Sequence, residues 1–180
     1  MSQKGSEDRM GGFAIHRQPD DTTCGPTCLH AVYRHWGLDI PLPQLIREMP
    51  KVEGGGTLAV LLGIDALRRG FEATLYTYNL RLFDPIWFQD ADTDIRERLE
   101  TQMKAKKGEK FQVASKAYIE FLDLGGRIQY EDLSPPVLVR HLVSGHPVLC
   151  GLSATYLYRS VRERVLDCEP DDVAGEPVGH

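Results

Sequence analysis

The order of hydrophobic and polar positions predicts a helical first half and a second half that carries strands. Apolar residues recur every three or four positions over 24–36, and Gly37 predicts the end of that helix. Residues 71–78 and 127–131 alternate as strands do, and 147–152 form an unbroken apolar run typical of a buried strand. Further helices are predicted over 44–49, 57–69, 92–107, 111–124 and 135–144. This order predicts an α+β fold rather than alternating βαβ units.

Composition favours a single globular domain. A chain of 180 residues with 42% hydrophobic residues is long enough for one domain-sized core. Residues 1–12 are polar and predict a disordered tail, so we expect the domain over 13–180. A net charge of −5 argues against a nucleic-acid partner. No apolar run is long enough to span a membrane and the start does not resemble a secretory signal, so we expect a soluble cytoplasmic protein without a membrane partner.

Cys24 carries the clearest chemical signal because it opens the helix predicted over 24–36. Four cysteines are too few for a disulfide framework, so each is expected to be a thiol. The first turn of a helix favours a thiolate through its free N–H groups and its dipole. Gly25 leaves room for a substrate backbone, and the amide of Gln18, six residues upstream, can donate to a developing oxyanion.

Two observations weigh against this interpretation of the residues alone. Asp20 and Asp21 would oppose a thiolate if they faced the sulfur. Cysteine is also among the most buried residue types, and Cys28 on the same helix is expected to be structural. At this point the residues leave Cys24 open between a nucleophile and a structural cysteine.

The segment 18–33 resembles the nucleophile segment of papain-like cysteine peptidases. It reads Gln-Pro-Asp-Asp-Thr-Thr-Cys-Gly-Pro-Thr-Cys-Leu-His-Ala-Val-Tyr. It is most similar to the bacteriocin-processing, or double-glycine, peptidases and their stand-alone bacterial relatives. In that family a glutamine and a short loop precede Cys-Gly-Pro, and a later Gly-His step leads into an apolar strand. Gly179 and His180 resemble this step, at a separation from Cys24 near the roughly 130–150 residues of papain-type enzymes.

The resemblance implies Cys24 as nucleophile, Gln18 as oxyanion donor and His180 as general base. It implies a papain-like fold in which a central helix near the N-terminus carries the nucleophile and an antiparallel sheet forms the second half. The Asp or Asn that orients the histidine in the family should follow His180. We therefore expect the sheet to be incomplete at the C-terminus and the chain to be a truncated form of a longer protein.

The implied function is a cysteine peptidase or amide hydrolase that acts through an acyl-enzyme intermediate. Its partner would be a peptide or a small amide substrate, and no cofactor is implied. Two alternatives stay open. The same cysteine chemistry serves an acyltransferase, and a catalytically inactive relative of the same fold serves as a module that binds a peptide or a protein.

Other chemistries are less well supported. Cys24 and Cys28 have no second matching pair, so no zinc site is predicted, and their spacing departs from the thioredoxin motif. Residues 54–56 are glycines without the Lys-Ser/Thr of a phosphate-binding loop, and they predict a turn. The histidines are interpreted as structural or solvated at His30 and His35, as a turn residue at His146, and as inert at His16 and His141.

Overall fold

The computed structural model describes residues 14–50, 57–164, 167 and 169–179. Within them the protein is a mixed α+β chain, mostly helical, with a small two-stranded parallel sheet, and the predicted α+β class is confirmed. The elements in chain order are α1 (Cys24–His35), α2 (Leu42–Glu48), α3 (Ala59–Arg68), β1 (Thr74–Tyr76), a 3₁₀ turn (Pro85–Phe88), α4 (Ile95–Ala105), α5 (Glu109–Asp123), β2 (Arg127–Gln129), α6 (Pro135–Val143) and α7 (Ala154–Tyr158). None of these helices is long and apolar enough to cross a membrane.

The helices predicted from periodicity form close to their expected positions. α1 is followed by Gly37 with a φ of +78°, and α3 by Gly70 with a φ of +86°. Glycine adopts this left-handed conformation without strain, which explains why the two helices end there. The predicted tail 1–12 and the predicted glycine turn at 54–56 lie outside the described residues.

The sheet differs from the antiparallel one that was expected. β1 and β2 pair in parallel, with Leu75 opposite Ile128 at the centre of the register. α4 and α5 lie between the two strands in the sequence and return the chain to the end of the sheet where β1 begins. The second strand therefore runs in the same direction as the first, in the helical crossover that parallel strands require. The α+β class is unchanged by this single crossover, and what differs from the prediction is the parallel direction of the pairing.

The buried strand predicted over 147–152 does not form, and no antiparallel sheet is seen in the described residues. Leu149 and Leu152 are 41% and 44% exposed. An apolar run becomes a strand when a neighbouring strand takes up its backbone hydrogen bonds, and the structure describes no such neighbour here. Among the described residues, isolated antiparallel bridges join Ser153 to Gly179 and Glu163 to both Pro170 and Glu176.

Helix α3 joins two hydrophobic clusters. Its residues Val60 and Ile64 belong to a cluster built with α4, α5 and the residues before the 3₁₀ turn. Its residue Ala66 belongs to a second cluster that includes residues of α1 and α2. A helix that is apolar on two faces is buried between neighbours, so α3 forms the centre of the fold. α1 packs mainly against α2 and α3.

Gly63 allows α3 to approach the Phe121 ring of α5 closely. A Cβ atom added at Gly63 would lie 2.6 Å from Cε2 of Phe121, whose side chain is fully buried. Helix propensity alone favours alanine over glycine by about 1 kcal/mol, whereas overpacking a filled core costs about 1–3 kcal/mol. We expect packing to dominate, so that Gly63→Ala lowers the free energy of unfolding by about 1–2 kcal/mol in urea denaturation.

A smaller side chain at position 121 separates the two effects. In a Phe121→Leu background, Gly63→Ala should lose most of its cost because the added methyl group then has space. A Gly63→Ala variant that is more stable than the parent chain, or one equally destabilised in both backgrounds, would contradict the packing explanation.

Candidate functional site

Cys24 is the first residue of α1 and is half-buried. The preceding residue, Thr23, makes no side-chain capping bond to the helix, since its hydroxyl donates to the Asp20 carbonyl oxygen at 3.0 Å. Among the described residues, the backbone N–H groups of Cys24 and Gly25 have no hydrogen-bond partner, and Pro26 has no N–H group. The first turn of α1 contains no acidic side chain. The uncapped turn therefore leaves the partial positive charge of a helix start at the residue that carries the thiol.

The turn before α1 engages the Asp20 carboxylate. Its Oδ1 atom accepts hydrogen bonds from the backbone N–H and the hydroxyl of Thr22 at 2.9 and 2.7 Å. This is an Asx turn, in which a short acidic side chain bonds the backbone two residues on. The Asp20 carboxylate, one of the two acids that weighed against a thiolate, is thus bonded within the turn itself.

Gly25 has a different role from the predicted one. A Cβ atom at this position would lie 3.1 Å from Cβ of Thr57 and 3.4 Å from Cδ2 of Leu62. The space beside Gly25 is therefore filled by α3 and by Thr57, two residues before that helix. We interpret this glycine as a close-packing position between α1 and α3 rather than as an opening for a substrate backbone.

The two other described cysteines have raised pKa values. Burial, and secondly the neighbouring Cys24, raise the pKa of the half-buried Cys28 thiol. Burial also raises the pKa of Cys150. Both side chains therefore stay protonated further into the alkaline range, and a protonated thiol is a poor nucleophile. Cys168 lies outside the described residues.

The structure describes one of the two predicted partners of Cys24, Gln18, and the other, His180, lies outside the described residues. Gln18 is half-buried in the irregular segment 14–18, and the Pro19–Thr22 turn separates it from Cys24 in the sequence. The role of His180 stays a prediction. The preceding residue, Gly179, pairs with Ser153 at the start of α7.

A cleft that the sequence analysis did not predict lies beside α1, and we call it the His30 cleft. It has a volume of about 700 Å³ and is lined by His16, Arg17, His30, Arg34 and residues 39–43. The spacing of His30 and Arg34 was the available signal, because residues four apart share one face of a helix. Sequence interpretation had treated His30 as structural or solvated and His16 as inert, since it did not foresee that segment 14–18 lies along this face.

The described residues contain no candidate metal site. In the parts of the chain that the structure covers, no group of three or more His, Cys, Asp or Glu side chains is arranged to hold a metal ion.

Comparison of the chain with protein-family models, curated proteins and solved structures finds no match. The local geometry around Cys24 and the resemblance of segment 18–33 to a nucleophile segment are thus the features that bear on function.

Proposed function

We propose that the protein is a cysteine hydrolase that cleaves a peptide or small amide substrate with Cys24 as its nucleophile. The observation that carries the proposal is the position of this half-buried thiol at the first residue of α1, beside N–H groups that have no described partner. A helix start of this kind stabilises both a thiolate and the oxyanion that forms when the thiolate attacks a carbonyl. The raised pKa values of Cys28 and Cys150 favour Cys24 over the other described thiols.

The proposed reaction proceeds through a thioester. The sulfur of Cys24 attacks the carbonyl carbon, while the Gln18 amide and a backbone N–H group donate to the oxyanion. The C–N bond then breaks, and His180 gives the amine the proton that it took from the thiol. Water next attacks the thioester, which releases the acid and restores the thiol. In this proposal the chain has a papain-like arrangement and acts in the cytoplasm, where thiols stay reduced.

An acyltransferase would share every step up to the thioester. It would differ in the acceptor, because an amine instead of water would attack the acyl-enzyme. Incubating the protein with a peptide library, with and without added primary amines, separates the two reactions by the mass of the products. Free acids support the hydrolase, and amides formed from the added amine support acyl transfer.

Selective alkylation tests the nucleophile without a known substrate. At neutral pH and limiting iodoacetamide, we expect Cys24 to be modified at least about tenfold faster than Cys28 or Cys150, because a thiol with a raised pKa supplies less thiolate. Peptide mapping by mass spectrometry measures the rate at each cysteine.

The same reaction in denaturant supplies the control. Unfolding removes the helix start and the burial, so all four cysteines should then react at similar rates. Equal, slow modification of all four cysteines in the folded chain would overturn the assignment of Cys24.

A further inference from the structure

The His30 cleft is locally basic on an acidic protein. Its lining includes two arginines, Arg17 and Arg34, and one carboxylate, Asp39, whereas the whole chain has a net charge of −5. Neither arginine forms an ion pair with a described carboxylate. Two such guanidinium groups at one cleft leave donors available to an external anion.

His30 supplies an independent observation from the wall of the same cleft. Its side chain is only 4% exposed, and its Nδ1 atom has no hydrogen-bond partner within the described residues. A buried polar atom without a partner costs free energy, and in native proteins it commonly marks the place of a water molecule or a ligand. Burial lowers the pKa of His30, and the nearby His16 and Arg34 lower it further, while the Ile40 backbone and Asp39 act in the opposite direction.

Arg34, His16 and His30 lie close together in the cleft. The guanidinium Nη1 atom of Arg34 lies 3.2 Å from Nε2 of His16, and the rings of His16 and His30 are 5.3 Å apart. Arginine only donates, so Nε2 of His16 accepts and its proton is on Nδ1. One guanidinium and two imidazoles therefore converge on this part of the cleft. Arg34 has N–H groups beyond the one that His16 accepts, and Nδ1–H of His16 has no acceptor among the described residues, so an anion could accept from both.

We propose that the His30 cleft binds a small oxyanion, a carboxylate or phosphate group, attached to a short apolar body. The planar guanidinium of Arg34 matches the geometry of such an oxyanion. Residues 40–43, which are Ile-Pro-Leu-Pro, form an apolar part of the lining against which an alkyl chain packs. The ligand is thus recognised at its charged end by α1 and at its apolar end by residues 40–43 at the start of α2.

This inference does not depend on the proposed hydrolase. His30 follows Cys24 by six residues, which corresponds to about 9 Å along a helix and to a rotation of roughly 240° around its axis. The cleft and the sulfur of Cys24 are therefore presented on different faces of α1. Anion binding and thiol reactivity can succeed or fail separately in experiments on the same chain.

Binding of three probes with the same alkyl chain tests the proposal. Sodium hexanoate, hexyl phosphate and hexanol are titrated into the ¹⁵N-labelled chain, and the imidazole nitrogen resonances of His30 and His16 are followed by NMR. We expect at least one anion to bind and to shift these resonances, and hexanol to bind at least about tenfold more weakly. The preferred anion shows whether the charged end is a carboxylate or a phosphate.

Two charge-removing variants complete the test. Arg34→Gln should weaken anion binding at least about tenfold, whereas Arg47→Gln, at an exposed arginine of α2 outside the cleft, should leave it within about twofold. Hexanol that binds as tightly as the anions would show a merely apolar groove. That result, equal effects of the two variants, or no anion binding at about 10 mM would overturn the proposal.

Discussion

Replacing Cys24 by alanine is expected to abolish the proposed hydrolysis, with a loss of about 10⁴-fold or more in kcat/KM. The variant keeps the helix start but lacks the atom that forms the thioester, so neither Gln18 nor the backbone N–H groups can compensate. The measurement is the release of new amino termini from a peptide library, quantified by mass spectrometry. Cys24→Ser is a second variant, in which a hydroxyl group replaces the thiol at nearly the same size and is far less readily ionised.

Cys28→Ala is the matched control on the same helix. This half-buried residue lies one turn from Cys24, and its raised pKa makes it a poor nucleophile. We expect Cys28→Ala to keep activity within about threefold, a change that repacking explains. Thermal unfolding of each variant checks that the fold persists. A folded Cys24→Ala chain that retains full activity would exclude the thiol mechanism, and a retained binding function without turnover would instead favour the non-enzymatic module.

The helical part of the fold was predictable because its signals are local. The boundaries of α1 and α3 follow from apolar spacing and from Gly37 and Gly70, whose positive φ values need glycine. The pairing of β1 with β2 was not predictable in the same way. Each strand has three residues, and Leu75 meets Ile128 only after α4 and α5 have packed and returned the chain. Short strands specify their partner weakly, so tertiary packing decides the direction of pairing.

The candidate site shows the same division between local and tertiary information. The placement of Cys24 at a helix start follows from the turn residues before it and from Pro26 in the first turn. The role of Gly25 was misjudged because its neighbour Thr57 is distant in the sequence. The His30 cleft was missed for a related reason, since its lining combines α1 with the coil at residues 16–17 and with residues 39–43, which include the start of α2.

A network of Asp65, Arg69 and Glu48 connects the three helices around the candidate site. The Tyr33 hydroxyl of α1 donates to Oδ1 of Asp65 on α3 at 2.6 Å, and Nε of Arg69 donates to the same oxygen at 2.7 Å. Arg69 also pairs with Glu48 of α2 at 2.6 Å. Burial, together with the hydrogen bond to Asp65, raises the pKa of Tyr33 above its usual range, so this side chain stays a neutral donor. Asp65 therefore links α3 to α1, the helix that begins at Cys24.

Asp65→Ala is expected to lower the free energy of unfolding by about 2–4 kcal/mol. The substitution leaves the hydroxyl of Tyr33, a residue only 1% exposed, without its acceptor, and it removes one of the two carboxylate partners of Arg69. Glu48→Ala is the matched control because it removes the other carboxylate of the network, which is 43% exposed and should matter much less. Urea denaturation gives the stabilities, and hydrogen exchange should show a larger loss of protection in α1 than in α5 for Asp65→Ala. Equal losses for the two variants, or unchanged protection in α1, would show that this buried link does not hold the helix in place.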